Sequence, residues 1–91
     1  MATVRFLFRK GVVDIILYLN RVESEGYYSL YKQNFVVSRQ TFANILKELE
    51  GLNVIKRSII ESRPPRVKYG LTEKGKKIAA LLEKLDEILR E

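Results

Sequence analysis

Cysteine and histidine are both absent from this 91-residue chain. The lack of cysteine excludes disulfide bonds, thiol redox sensing and thiolate metal ligands. The lack of histidine removes the commonest metal ligand and the commonest general base. Aspartate occurs only at Asp14 and Asp86, and the glycines are isolated rather than grouped in a phosphate-binding loop. We therefore expect no metal site and no cofactor, and an enzyme is the least favoured class of protein.

Long apolar runs are also missing. No stretch approaches the roughly 20 apolar residues that cross a bilayer, and the apolar part of MATVRFLFRK is too short for a secretory signal. We expect a cytoplasmic protein with no membrane partner. A chain of this length with 46% hydrophobic residues predicts one folded unit with a small core, which dimerisation would help to stabilise.

Positive charge is in excess, and it is unevenly distributed. The net charge is +6, but residues 73–91 carry equal numbers of basic and acidic groups, so the whole excess belongs to residues 1–72. A basic body joined to a neutral segment indicates a polyanionic partner for the body. A protein whose soluble surface is basic without binding a polyanion would have the same net charge, so charge alone does not decide between these two interpretations.

The first half of the chain predicts two helices after a short extended start at residues 3–8. The run GVVDIILYLNR, Gly11 to Arg21, is apolar on most faces; we favour a buried helix, although its β-branched content keeps a buried strand open. Residues 22–27 contain a turn signal. Ser29 can cap a short helix at residues 30–34, and a turn over residues 34–37 follows.

The next helix has the clearest periodicity in the chain. Ser38 is a good N-cap for RQTFANILKELE. An apolar stripe at i, i+3, i+4 and i+7 consists of Phe42, Ile45, Leu46 and Leu49. The helix should end at residues 51–53, with Asn53 left-handed. Two helices joined by a tight turn form a helix-turn-helix pattern.

A β-hairpin is predicted at residues 54–71. VIKRSIIE is rich in β-branched residues, and VKYGL alternates apolar with other residues as a half-buried strand does. Pro64 and Pro65 mark the tip at residues 62–66, because proline cannot serve a central strand ladder. The two prolines also stiffen the tip, which lowers the entropy lost when a partner binds it.

The last helix, capped by Thr72, should run from Glu73 to about Arg90. Its apolar positions repeat at a seven-residue step and are Ile78, Leu81, Leu82, Leu85, Ile88 and Leu89. We favour a dimer contact for this seam, with packing onto its own domain as the alternative. The expected fold is mainly α with a small β-hairpin: a winged helix-turn-helix at residues 1–71 and a C-terminal dimerisation helix at residues 72–91.

The segment KELEGLNVIKRSIIESRPPRVKYGLTEKGKKIAALL resembles MarR/HxlR-type winged-helix transcription regulators. Its part PPRVKYGLTEKG is especially similar to the HxlR branch, and the likeness covers about residues 11–82. It implies that GVVDIILYL is the first helix and SRQTFANILKELE the recognition helix. HxlR-type members often carry a cysteine near the first helix, and this chain has none. We also expect little material at either end to build an effector pocket.

Positions on the predicted recognition helix and wing define candidate DNA contacts. At about 100° per residue, the face opposite the apolar stripe holds Gln40, Asn44 and Lys47, with Ala43 beside them. Such amides can hydrogen-bond to adenine, and lysine reaches guanine or phosphate. The full set of candidates is Ser38, Arg39, Gln40, Thr41, Ala43, Asn44, Lys47, Arg57, Arg63, Arg66 and Lys68.

Each of these positions also has an ordinary structural explanation. Any amphipathic helix has a polar outer face, Ser38 is already explained as a cap, and arginines at a turn can simply be solvated. Together with the resemblance, however, they favour a sequence-specific, homodimeric regulator of transcription that binds double-stranded DNA. The alternative is a winged-helix module that binds another protein in a transcription-related assembly. An RNA binder is less favoured, because strand aromatics are few.

Overall fold

The computed structural model describes residues 3–91. Met1 and Ala2, which begin the segment that we expected to be too short for a secretory signal, lie outside the described residues. The elements in chain order are a 3-10 helix at Val4–Phe8, α1 at Val12–Val22, β1 at Ser24–Gly26, α2 at Tyr27–Tyr31, α3 at Arg39–Gly51, β2 at Ile55–Ile60, β3 at Arg66–Leu71 and α4 at Glu73–Leu89. Four helices and a small antiparallel sheet confirm the winged-helix prediction. Within this range, no helix is long and apolar enough to span a bilayer.

The sheet has three strands in the order β1-β3-β2. The predicted hairpin is confirmed: β2 and β3 pair antiparallel from Ile55 opposite Leu71 to Ile60 opposite Arg66. The prediction of a plain turn at residues 22–27 was wrong, because Ser24 to Gly26 pair with β3 on its other edge. Gly70 allows this pairing, since a Cβ there would lie 3.0 Å from the Glu23 carbonyl oxygen.

Two other local predictions were wrong. Residues 3–8 are not extended: they form a 3-10 turn capped by Thr3, whose Oγ1 accepts a hydrogen bond from the Arg5 amide at 3.3 Å. Phe6 and Leu7 pack against the core from this turn, which explains why the segment is helical rather than extended. The second helix begins at Tyr27 rather than after Ser29, because β1 leads directly into it through Gly26.

The core lies between α1, α3 and the sheet. The preference for a helix at residues 11–21 is confirmed, and α1 buries Val12, Ile15, Ile16 and Leu19. The predicted α3 stripe is confirmed at all of its positions, Phe42, Ile45, Leu46 and Leu49. Asn53, just after α3, has the expected left-handed backbone, with φ of 62°. The orientation of α3 is therefore fixed by one buried face, which leaves its other face to solvent.

The beginning of α4 approaches the α3–β2 junction very closely. Thr72 is the predicted N-cap, and its Oγ1 accepts a hydrogen bond from the Gly75 amide at 3.0 Å. The Thr72 amide donates to the Val54 carbonyl at 3.0 Å. A Cβ on Gly75 would lie 2.1 Å from that same carbonyl oxygen. Only glycine therefore lets the first turn of α4 lie against this backbone.

The contact predicts that Gly75→Ala destabilises the fold by about 1–3 kcal/mol, since the added methyl forces backbone apart. Gly51→Ala is the matched control, because a Cβ at Gly51 meets nothing within 4 Å. We expect it to be neutral or to stabilise the fold by up to about 1 kcal/mol. Urea unfolding followed by circular dichroism measures both, and equal stabilities for the two variants would contradict the close contact.

Candidate nucleic-acid interface

The outward face of α3 carries the residues predicted to read bases. Gln40, Asn44 and Lys47 are exposed, and Ala43 is half-buried beside them. The Gln40 Nε2 donates a hydrogen bond to Asn44 Oδ1 at 3.0 Å, so the two amides are joined one helical turn apart. This bond leaves the Gln40 carbonyl oxygen as an acceptor and the Asn44 amide nitrogen as a donor for a ligand. The two side chains therefore present a single polar unit.

The N-terminal end of α3 brings together the second predicted group. Ser38 Oγ accepts a hydrogen bond from the Thr41 amide at 3.2 Å, which confirms its role as the cap. Ser38, Arg39 and Thr41 are all exposed. The Arg39 guanidinium lies 5.4 Å from the centre of the Tyr31 ring. A cation over an aromatic face is attracted to it, so Tyr31 helps to position Arg39.

Tyr31 is a residue whose part in this surface was missed from the sequence. Its ring packs against Phe42, with centroids 5.3 Å apart. Its hydroxyl also donates a hydrogen bond to the Val37 carbonyl at 3.1 Å, in the turn before α3. No sequence pattern pairs Tyr31 with Arg39, because the intervening turn sets their distance.

The hairpin tip presents exposed basic groups at its two ends. Arg63 and Arg66 flank Pro64 and Pro65, and all of them are exposed. The Ser62 hydroxyl donates a hydrogen bond to the Pro64 carbonyl at 2.6 Å, which closes the tip. Short local bonding and two prolines limit the conformations of this loop. The tip therefore holds two guanidinium groups on a restrained backbone.

The strands separate the remaining two predicted residues. Arg57 is opposite Tyr69 and Lys68 is opposite Ser58 in the β2–β3 register, so they lie on opposite faces of the hairpin. The Arg57 Nε lies 3.6 Å from the Glu50 Oε1 at the end of α3. Lys68, by contrast, shares its face with Arg66. The structure thus groups Lys68 with the wing tip and Arg57 with α3.

A cleft of about 350 Å³ continues the basic surface from the wing to α2. It is lined by Tyr28 and Ser29 on one side and by Arg66 on the other. The Lys32 Nζ lies 4.7 Å from the centre of the exposed Tyr28 ring. The basic surface therefore extends beyond the residues selected from the sequence.

Two tyrosine side chains have a pKa above the usual range of a phenol. The pKa of Tyr18 is raised mainly because its hydroxyl donates a hydrogen bond to the Glu25 carboxylate at 2.6 Å. Burial is the main cause that raises the pKa of Tyr69. Both shifts keep a phenol neutral. The described part of the chain also holds no group of acidic residues arranged to bind a metal.

The predicted α4 seam divides into two parts. Ile78 and Leu82 are half-buried and pack against the protein's own core. The exposed part comprises Leu81, Leu85, Ile88 and Leu89, with exposures of 67%, 56%, 50% and 83%. These four positions follow an i, i+4, i+7, i+8 pattern, so they form one stripe on α4.

The protein's family follows from comparison with known proteins. The model of the HxlR-like helix-turn-helix family matches residues 9–91, and the chain belongs to this family. An uncharacterized HTH-type transcriptional regulator of Halalkalibacterium halodurans is 31% identical over 85 residues, which cover 93% of this chain and 75% of that protein. These findings confirm the resemblance to HxlR-type regulators.

Other relatives are longer than the matched region. Uncharacterized HTH-type transcriptional regulators of Methanothermobacter thermautotrophicus and Bacillus subtilis are each 39% identical over 51 residues, 56% of this chain. The match spans 39% of the first and 47% of the second, less than half of either protein.

A solved structure shows the same architecture. The crystal structure of a MarR-family regulator from Porphyromonas gingivalis W83 is similar, with a TM-score of 0.80 and 28% identity. The likeness covers 96% of this chain and 84% of that one.

The Ser38 cap gives a testable stability difference. We expect Ser38→Ala to lower the free energy of unfolding by about 1 kcal/mol, because it removes the acceptor for the Thr41 amide. Ser38→Asp should keep most of that stability, since aspartate is an equally good cap. Urea denaturation compares the variants; an aspartate variant as unstable as the alanine variant would argue against the cap.

Proposed function

We propose that this protein is a homodimeric transcription regulator that binds double-stranded DNA sequence-specifically, with α3 in the major groove and the wing on the minor groove or backbone. The observation that carries this proposal is that two exposed surfaces occur together. One is the hydrogen-bonded pair of amides Gln40 and Asn44 on α3, and the other is the basic wing tip with Arg63 and Arg66. Membership of the HxlR-like helix-turn-helix family supports it, as do relatives named as transcriptional regulators.

The amide pair suits the major-groove edge of a base pair. Adenine presents an N7 acceptor and an N6 donor there, and an amide can satisfy both. The bond between Gln40 and Asn44 holds the two amides together before DNA arrives, so less rotamer entropy is lost on binding. Half-buried Ala43 leaves room for a thymine methyl, and Lys47 reaches guanine or phosphate.

The proposed phosphate contacts surround this reading face. Ser38, Arg39 and Thr41 lie at the start of α3, where free backbone amides favour an anion. Arg63, Arg66 and Lys68 supply positive charge from the wing. Arg57 is the weakest member of the set, because Glu50 lies beside it and partly neutralises it.

The exposed stripe of α4 supports the proposed dimer. Leu81, Leu85, Ile88 and Leu89 would be covered if two α4 helices packed together, which the small core makes favourable. In this proposal residues 72–91 act as the dimer element and residues 1–71 as the DNA-binding unit. A two-fold dimer would recognise a roughly palindromic site with half-sites about one helical turn, 34–36 Å, apart.

DNA binding is tested by fluorescence anisotropy of a labelled random-sequence duplex at about 50 and about 200 mM salt. We expect affinity to fall steeply with salt, because each neutralised phosphate releases a counterion. The variant Arg63→Gln/Arg66→Gln should reduce the slope of log K against log salt by roughly two. Its control is Lys76→Gln/Arg90→Gln, which removes the same charge from α4 and its C-cap and should leave the slope unchanged.

The wild-type protein provides the decisive outcome of that titration. No affinity for the duplex at the lower salt would remove the basis of the proposal. The α3 face and wing would then serve a protein partner, which was the alternative expected from the sequence.

The dimer is tested by sedimentation velocity. We expect the wild-type protein to sediment at twice the mass of one chain, and Leu85→Lys to sediment as a folded monomer because the new charge cannot be buried in the contact. Ala80→Lys is the control: Ala80 is exposed on α4 but lies away from the stripe. A wild-type monomer, or a Leu85→Lys dimer, would contradict the proposed contact.

A further inference from the structure

Val37, the residue before the Ser38 cap, is 80% exposed. An apolar residue at this position commonly packs against the fourth residue of the helix, here Phe42, in a contact called the hydrophobic staple. At this exposure Val37 is not buried in such a contact. Tyr27 and Tyr31 cover Phe42 instead, and the centroid of each of their rings lies 5.3 Å from that of Phe42. The usual structural role of an apolar residue before a helix cap is therefore filled by other side chains.

The backbone that carries Val37 is held in place by neighbouring elements. The preceding residue, Val36, is buried, and the Phe35 carbonyl oxygen would lie 2.9 Å from a Cβ on Gly11, the N-cap of α1. The Tyr31 hydroxyl donates a hydrogen bond to the Val37 carbonyl at 3.1 Å. A β-branched side chain is also stiff at χ1. The exposed methyl groups of Val37 thus stand on an ordered turn, and little entropy is lost when a partner covers them.

These methyl groups adjoin the N-terminal end of the proposed reading face. Arg39, Gln40 and Thr41 follow within four residues and are exposed as well. Their charged and hydrogen-bonding groups suit phosphates and the donors and acceptors of base edges. The major groove also presents one apolar group, the C5-methyl of thymine, which apolar side chains contact. Val37 supplies the apolar surface that this group needs.

From this arrangement we infer that Val37 contacts the C5-methyl group of a thymine in the major groove and so helps to determine the DNA sequence that the protein selects. This role rests on the proposed function, since it needs α3 in the major groove. Three residues of chain span at most about 11 Å, and stacked bases are about 3.4 Å apart. The thymine therefore lies within about three base pairs of the pair that Gln40 reads. Tyr31 is a positioning residue that acts through the Val37 carbonyl.

The contact is tested by replacing thymine with uracil, which removes the methyl group and leaves base pairing intact. A random-sequence duplex library selected with the wild-type protein supplies the site. Fluorescence anisotropy then compares the selected duplex with copies in which one thymine at a time is uracil. We expect uracil at one position of each half-site to weaken wild-type binding about three- to fivefold, because one methyl group is no longer buried.

The variant Val37→Ala completes a double-mutant cycle. It should lose a similar factor on the thymine duplex, and uracil at the coupled position should cost it little further affinity. A thymine that faces Ala43 instead would lose affinity with uracil in both proteins. Val4→Ala is the matched control, because it removes the same two methyl groups from a side chain that is 65% exposed near the other end of α3. It should keep the full loss with uracil.

Tyr31→Phe tests the hydrogen bond that holds the turn. The variant keeps the ring against Phe42 and beside Arg39, and it removes the hydroxyl that bonds to the Val37 carbonyl. We expect its preference for thymine over uracil to be smaller than that of the wild type. The dependence of its affinity on salt should be unchanged, because every charged group remains. A full preference for thymine in this variant would overturn the positioning role of Tyr31.

The outcomes separate Val37 from the proposed function. No duplex binding at about 50 mM salt, or selection of no sequence, would refute the regulator and this contact together. A selected site in which no uracil weakens the wild-type protein more than Val37→Ala would keep the regulator and overturn the contact. Equal losses by Val37→Ala on the thymine and uracil duplexes would assign Val37 a structural role, which urea unfolding would detect as a lower free energy of unfolding.

Discussion

The close approach of Gly75 to the Val54 carbonyl is the contact on which the rest of the structure depends. Val54 ends the turn after α3, where its amide donates to the Leu49 carbonyl at 2.9 Å, and it leads into β2. Its own carbonyl accepts from the Thr72 amide and lies too near Gly75 for any Cβ. Lys74 adds a hydrogen bond to the Leu52 carbonyl at 2.8 Å, at the end of α3. The LTEKG segment therefore joins the end of α3, the wing and α4 through backbone atoms.

Sequence patterns predicted the elements whose structure is local. The α3 stripe follows from helix periodicity. The Ser38 and Thr72 caps are also local, because each hydroxyl accepts a hydrogen bond from an amide three residues further along the chain. The errors fell where distant residues decide the structure. β1 is a strand only because β3 pairs with it, and nothing in SEG resembles a strand. The 3-10 turn at residues 4–8 likewise forms where Phe6 and Leu7 meet the core.

The candidate site was likewise predictable where its geometry is local and not where it depends on distant residues. The outer face of α3 follows from its periodicity, because one buried stripe fixes what remains exposed. The face of Arg57 depends on the hairpin register, which places it opposite Tyr69 and near Glu50.

The rigid junction has a consequence for the proposed dimer. The first turn of α4 is locked to the end of α3, and the exposed stripe begins at Leu81, less than two turns after Gly75. An α4–α4 contact would therefore set the separation and angle of the two α3 helices without a flexible linker between them. Domains joined by flexible chain can adapt to several half-site spacings, whereas a rigid junction selects one.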